Sequence, residues 1–228
     1  MLNYFWKKFS CIAGFVLVTF LTLSIAAQAV EKNAEIAEPP MRIAVISFQP
    51  LIPLEKQGNT VICPLCGIGY SSGKILKGSE KIVEDVFVEK LHELKAVKLI
   101  PPDKVQGVYK RIASESLKEP LLNILKKVGH ELGADVLVVG YVYRYTEREG
   151  YKYSAEHPAS VFFEIHLIKT SDGSIIWRGL FDKTQKSLME DVFQISSFFK
   201  GGGKWMTARQ LTKQGMDEIF KTFPGLER

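Results

Sequence analysis

The chain has 228 residues, of which 46% are hydrophobic, 24% charged and 11% aromatic. That mix excludes the disordered, collagenous and low-complexity classes, and three cysteines are too few for a disulfide scaffold. The net charge of +5, from 30 basic and 25 acidic residues, comes with no long basic run and makes no case for nucleic acid.

Lys7 and Lys8, with no acid before them, precede an apolar run from Cys11 to Ala27, and Ala27-Gln28-Ala29 follows. A positive start, an apolar core and an A-x-A site are the three parts of a secretory signal peptide. Residues 1–29 therefore read as a signal peptide cleaved after Ala29, with Ala27 and Ala29 as the cleavage residues. The alternative is an uncleaved anchor helix, but Thr19, Thr22 and Ser24 dilute a run already short for spanning. Cys11 has no apolar run before it, which argues against lipidation. Residues 30–41, with Pro39-Pro40, read as a flexible leader. The expected location is the periplasm, with the membrane met only through the signal segment before cleavage.

Residues 42–228 read as one α/β domain. Arg42 to Phe48 is a buried first strand. Residues 49–78, with three prolines and five glycines, read as a long loop. Ser79 is placed to cap a helix carrying Ile82, Val83, Val86, Phe87, Leu91 and Leu94 on one face. A short strand over Val97 to Ile100 follows. Asp103 with Gln106 marks a second helix start, and Pro120 opens a third that ends near Gly133. Three strands come next: Asp135 to Tyr145, Ala159 to Thr170, and Ser174 to Lys183, the last two joined at Asp172-Gly173. Ser187 with Glu190 and Thr207 with Gln210 are capping boxes for two closing helices, separated by Gly201-Gly202-Gly203; Met206 and Leu211 have staple spacing. Early helices between strands imply parallel pairing and the late hairpin antiparallel pairing, so the expected fold is a mixed sheet with helices packed on it.

Leu132-Gly133-Ala134-Asp135 runs straight into Val136-Leu137-Val138-Val139-Gly140-Tyr141-Val142, and Ile165-His166-Leu167-Ile168 later leads to Asp172-Gly173-Ser174-Ile175-Ile176-Trp177. This passage resembles the superfamily that holds the curli-secretion lipoprotein CsgG, the lipoprotein activators of penicillin-binding proteins and the N-terminal domain of TolB. The resemblance covers residues 42–183. It implies an envelope protein without catalysis that acts through contacts with other envelope proteins, with self-association allowed. The chain departs from the pattern in two ways: it has no lipid-anchor cysteine, and it carries the cysteine-containing loop 49–78.

Cys63-Pro64-Leu65-Cys66 is the sharpest local motif. The favoured reading is a Cys63–Cys66 disulfide pinning the loop, as an oxidising compartment allows. A redox pair would want the first cysteine at a helix start, whereas Gly67, Gly69 and Gly73 follow. A zinc site would need two further ligands from His92, His130, His157 or His166, which are scattered in sequence. Ile68 and Ile75 break any phosphate-loop pattern across Gly67 to Ile75. No catalytic constellation appears, and neither a cofactor nor a metal is expected.

Tyr141, Tyr143 and Tyr145 alternate along one strand and should share a face, opposite Val138, Gly140 and Val142. That face reads as packed under a helix rather than as a nucleic-acid surface. Trp177 should be at least partly buried, on the same face as Ile175. Leu51, Ile52, Leu54 and Tyr70 in the loop are the candidate partner contacts. The expected function is a non-catalytic interaction or assembly domain assisting a cell-envelope machine. The alternatives are a dithiol redox or metal-handling protein, or the same domain held by an uncleaved N-terminal helix.

Overall fold

The computed structural model describes residues 40–53, 58–151, 154–185 and 205–224, and the unit from Pro40 onward is compact. The cleavage residues Ala27 and Ala29, the loop residue Leu54, and the segment with Ser187, Glu190 and Gly201–Gly203 lie outside the described residues.

β1 (Met41–Val45) is the apolar first strand, and β2 (Gln49–Pro50) continues its direction after a short break. The segment read as a loop holds a hairpin of its own, β3 (Thr60–Ile62) against β4 (Gly69–Ser71). α1 (Ser79–His92) follows, then β5 (Val97–Leu99), α2 (Pro102–Glu115) and α3 (Leu121–Leu132). The long strands are β6 (Val136–Thr146), β9 (Ser160–Lys169) and β10 (Ile175–Thr184). The small hairpin β7 (Glu149–Tyr151) and β8 (Ser154–His157) stands between β6 and β9, and α4 (Ala208–Ile219) closes the described chain.

The sheet order is β10-β9-β6-β1-β5, with β2 also lying along β6. β1 is parallel to β5 and β6, whereas β6, β9 and β10 are antiparallel neighbours. The fold is thus the expected mixed sheet with helices on it. α1 and α4 cover one face, through a core with Phe48, Val83, Phe87, Phe163, Trp177, Leu211 and Met216. α2 and α3 cover the other, through Val105, Ile112, Leu125, Val128, Leu137 and Tyr141. Among the described residues no helix is long and apolar enough to cross a membrane.

Several local signals act as their chemistry requires. Pro120 stands just before α3, and Gly133, at φ 60°, ends it. Thr207 and Gln210 form a reciprocal capping box on α4, and Met206 and Leu211 belong to the same core. α1 differs. Its cap is Gly78 in the left-handed region, and Ser79 is already helical. The Ser79 hydroxyl is buried with no partner among the described residues. The Ser79 N–H is met by a turn bond to the Leu76 carbonyl at 3.0 Å.

Two bulges overturn simple alternation. The β6–β9 register shifts between Val142 and Arg144. Tyr141 and Tyr143 therefore face α2 and α3, whereas Tyr145 joins Val138 and Val142 on the α1/α4 face. The extra residue of a bulge reverses the side-chain period beyond it. All three tyrosines are buried, so they form no outer stripe. A second shift between Ile175 and Trp177 leaves Ile175 and Ile176 at the surface. Trp177 is nonetheless 9% exposed, its Nε1 donating to Thr222 Oγ1 at 3.2 Å and its ring meeting Phe223 edge-on at 5.1 Å.

Candidate functional site

β9 lies between β6 and β10, so the sheet covers both its edges and helices or the β3/β4 hairpin cover its faces. Such a strand reads as a continuous apolar run. Glu164 and His166 interrupt that run, and both are wholly buried. Two residues apart in a strand, they point to the same face, on which Phe162 and Ile168 also lie.

The β3/β4 hairpin settles over this pair. Val61 and Tyr70 are cross-strand partners and turn inward. Cys63 N–H donates to the Ile68 carbonyl at 2.9 Å, and Gly67 N–H to the Cys63 carbonyl at 3.0 Å. Gly67 makes the return at φ 71°, a conformation that suits glycine. This tight turn aims both cysteine side chains down at the sheet.

Cys63 Sγ lies 3.9 Å from His166 Nε2, and Cys66 Sγ lies 3.8 Å from Glu164 Oε1. His166 Nε2 is 3.5 Å from Glu164 Oε1. The four donor atoms of Cys63, Cys66, Glu164 and His166 all lie within 4.8 Å of one another. Cys63 and Cys66 stand as free thiols in this structure. Their sulfurs are directed at His166 and Glu164, and Cys66 N–H approaches Cys63 Sγ at 3.5 Å.

Glu164 is the hub of a polar network. Tyr143 donates to Oε2 at 2.6 Å, Tyr70 donates to Oε1 at 3.1 Å, and Arg178 Nε donates to Oε1. Arg178 also bonds the Tyr70 hydroxyl and lies over its ring. Burial by itself would raise the Glu164 carboxyl. The Tyr143 and Arg178 hydrogen bonds and the positive charge of Arg178 outweigh it and hold the group below the usual carboxylate range. Burial pushes the Cys63 thiol up to about 11. Burial likewise depresses His166, against the opposing pull of Glu164. The site is thus a buried Glu164–Arg178 ion pair beside two cysteines and an imidazole.

Of the candidate partner residues, Leu51 and Tyr70 pack partly buried against the core, as does Leu65. Ile52 is 72% exposed, and two isoleucines that are not among the candidates, Ile62 and Ile68, are 61% and 42% exposed. The hairpin therefore has an inner polar-and-apolar face and an outer face carrying isoleucine. Apart from this region, a cleft of about 240 Å³ opens at the carboxyl ends of β1 and β5, beside Val45, Glu84, Leu99 and Pro101. In it Glu84 accepts from Lys81 at 2.9 Å and from Phe48 N–H at 2.9 Å.

Reading the sequence missed Glu164 and Arg178, and left His166 among the scattered histidines. The signal was present: a glutamate and a histidine at i, i+2 inside an apolar strand are buried polar groups and demand partners.

No protein-family model matches the chain, and no curated protein matches it. Solved structures give distant likenesses. A PelC dodecamer from Paraburkholderia phytofirmans aligns at 11% identity and a TM-score of 0.44, over 79% of this chain and 86% of that one. A hypothetical protein from Chlamydia trachomatis aligns at 13% identity and 0.45, over 80% and 94%. The C-terminal domain of LpoB from Salmonella enterica aligns at 10% identity and 0.38, over 69% and 92%. Likenesses this distant carry no residue and no role across to this chain.

Proposed function

We propose that this chain is an exported, non-catalytic interaction module of the cell envelope, which meets partner proteins through the outer face of the segment 49–78. The observation that carries the reading is the exposure of Ile52, Ile62 and Ile68. The other side of the same segment is fixed to the sheet by Cys63, Cys66 and Tyr70. A rigid support under exposed apolar side chains is the arrangement of a contact surface, since a solvated linker has no need of either. The amino-terminal signal pattern supports export. Nucleic acid and nucleotide have no place in this reading.

The test is site-specific photocrosslinking in intact cells from position 60, which is exposed beside Ile62 on β3, compared between the otherwise wild-type chain and an Ile62→Asp, Ile68→Asp double variant. The variant should keep its circular dichroism spectrum and melting temperature and lose the crosslinked partner. Undiminished crosslinking to the same partner would refute this surface, and crosslinks only to a second copy of the chain would replace envelope partners by self-association.

A further inference from the structure

We propose that Cys63, Cys66, His166 and Glu164 bind a single Zn²⁺ ion in a closed, four-coordinate site that fastens the β3/β4 hairpin to the sheet. The proposal goes beyond the partner reading and stands or falls without it.

The geometry comes first. Zinc bonds of about 2.3 Å to sulfur and 2.0–2.2 Å to nitrogen or oxygen set the edges of a ligand tetrahedron at roughly 3.3–3.8 Å. The observed separations are 3.5 Å for His166 to Glu164, 3.8 Å for Cys66 to Glu164 and 3.9 Å for Cys63 to His166. All six separations are within 4.8 Å, so an ion at the centre needs shifts of roughly an ångström or less in side chains that already converge.

The donor set comes second. Two sulfurs, one imidazole nitrogen and one carboxylate oxygen suit zinc, whereas calcium and magnesium demand oxygen throughout. The two cysteines sit in one tight turn, which Gly67 closes at φ 71°. The Cys66 N–H directed at Cys63 Sγ supplies the kind of donor that favours an anionic sulfur.

Charge is the third observation. The wholly buried Glu164 carboxylate is paired with Arg178, so its charge is already balanced. The two cysteine thiolates that bind Zn²⁺ balance the dication, and no unbalanced charge is left buried. Arg178 and Tyr143 already orient the carboxylate, as outer partners of metal-bound carboxylates do. Three of the four ligands are buried and Cys66 is half-buried, so no position is left open for a substrate, as in a structural site rather than a catalytic one.

The test is a Co²⁺ titration of the full chain, reduced and stripped of metal. One equivalent should give the thiolate-to-cobalt charge-transfer absorption and the intense visible bands of a tetrahedral ion, and Zn²⁺ should abolish both. Cys66→Ser and His166→Gln should each weaken binding at least 100-fold, and Arg178→Gln, at a positioning residue, about 10–100-fold. Cys66 is half-buried, so its serine variant decides the matter even if His166→Gln does not fold. The proposal is overturned if the reduced chain gives no tetrahedral cobalt spectrum. It is overturned equally if Cys66→Ser binds as tightly as the wild type, or if the chain isolated from cells carries no metal and is lighter by two hydrogens, as a disulfide requires.

Discussion

The Tyr143 hydroxyl donates to Glu164 Oε2 at 2.6 Å, and neither side chain is accessible to solvent. This bond ties β6 to β9 on the face under the cysteine hairpin, where strand alternation sets Tyr143 on the same side as Tyr141, before the bulge turns Tyr145 to the other face. Burial and the adjacent carboxylate both push the Tyr143 phenol above its ordinary range, so it remains a donor. Tyr143→Phe leaves a buried carboxylate oxygen without that partner, which should cost about 1–3 kcal/mol. Urea unfolding measures it, and a loss below the low end would mean Glu164 draws its balance from Arg178 alone.

Trp177 fills the contact between β10 and the end of the described chain, with Phe223 against its ring and Thr222 on its Nε1. Trp177→Ala should destabilise by roughly 3–5 kcal/mol. Trp177→Phe should cost less, because most of the apolar contact survives. Equal melting temperatures for wild type and the alanine variant would contradict this packing.

Gly140 in β6 lies beneath Phe48: an added Cβ would stand 2.5 Å from the Phe48 ring. Gly140→Ala should therefore destabilise by about 1–3 kcal/mol through overpacking. A second substitution, Phe48→Leu, should return part of that loss. Additive losses in the double-mutant cycle would show that the two positions do not meet.

Cys63 is 1% exposed and Cys66 half-buried. In the reduced chain held with a chelator, iodoacetamide should modify Cys66 first and Cys63 only much more slowly, since reagent access limits the buried thiol. Peptide mapping over time reads the order, and simultaneous modification would mean that the hairpin lifts from the sheet.

Loading with zinc should raise the melting temperature, because an ion bound only by the folded chain adds its binding free energy to stability. Chelation should reverse the rise. The expected shift is lost in Cys66→Ser, and calorimetry with and without one equivalent of metal checks it.

What the sequence determined by itself is whatever local chemistry decides. Pro120 and Gly133 bracket α3, Thr207 and Gln210 cap α4, and the apolar runs place β6, β9 and β10 within a residue, whereas β1 ends at Val45, three residues before the expected Phe48. Alternating helices and strands, then a late hairpin, are enough for a mixed sheet. The bulges in β6 and β10 were beyond it, because an extra residue in one strand is defined only against its partner. The hairpin inside 49–78 was hidden too, since its strands are only three residues each and lie among turn-forming prolines and glycines. The cluster was the least legible of all. Cys63 and His166 stand 103 residues apart in the chain, so no spacing rule connects them. Only the pairing of β6 with β9, and the seating of the hairpin above them, brings two thiols, an imidazole and a carboxylate within 4.8 Å. Local backbone preferences act over a few residues, whereas a buried polar site is assembled by the closure of the whole core.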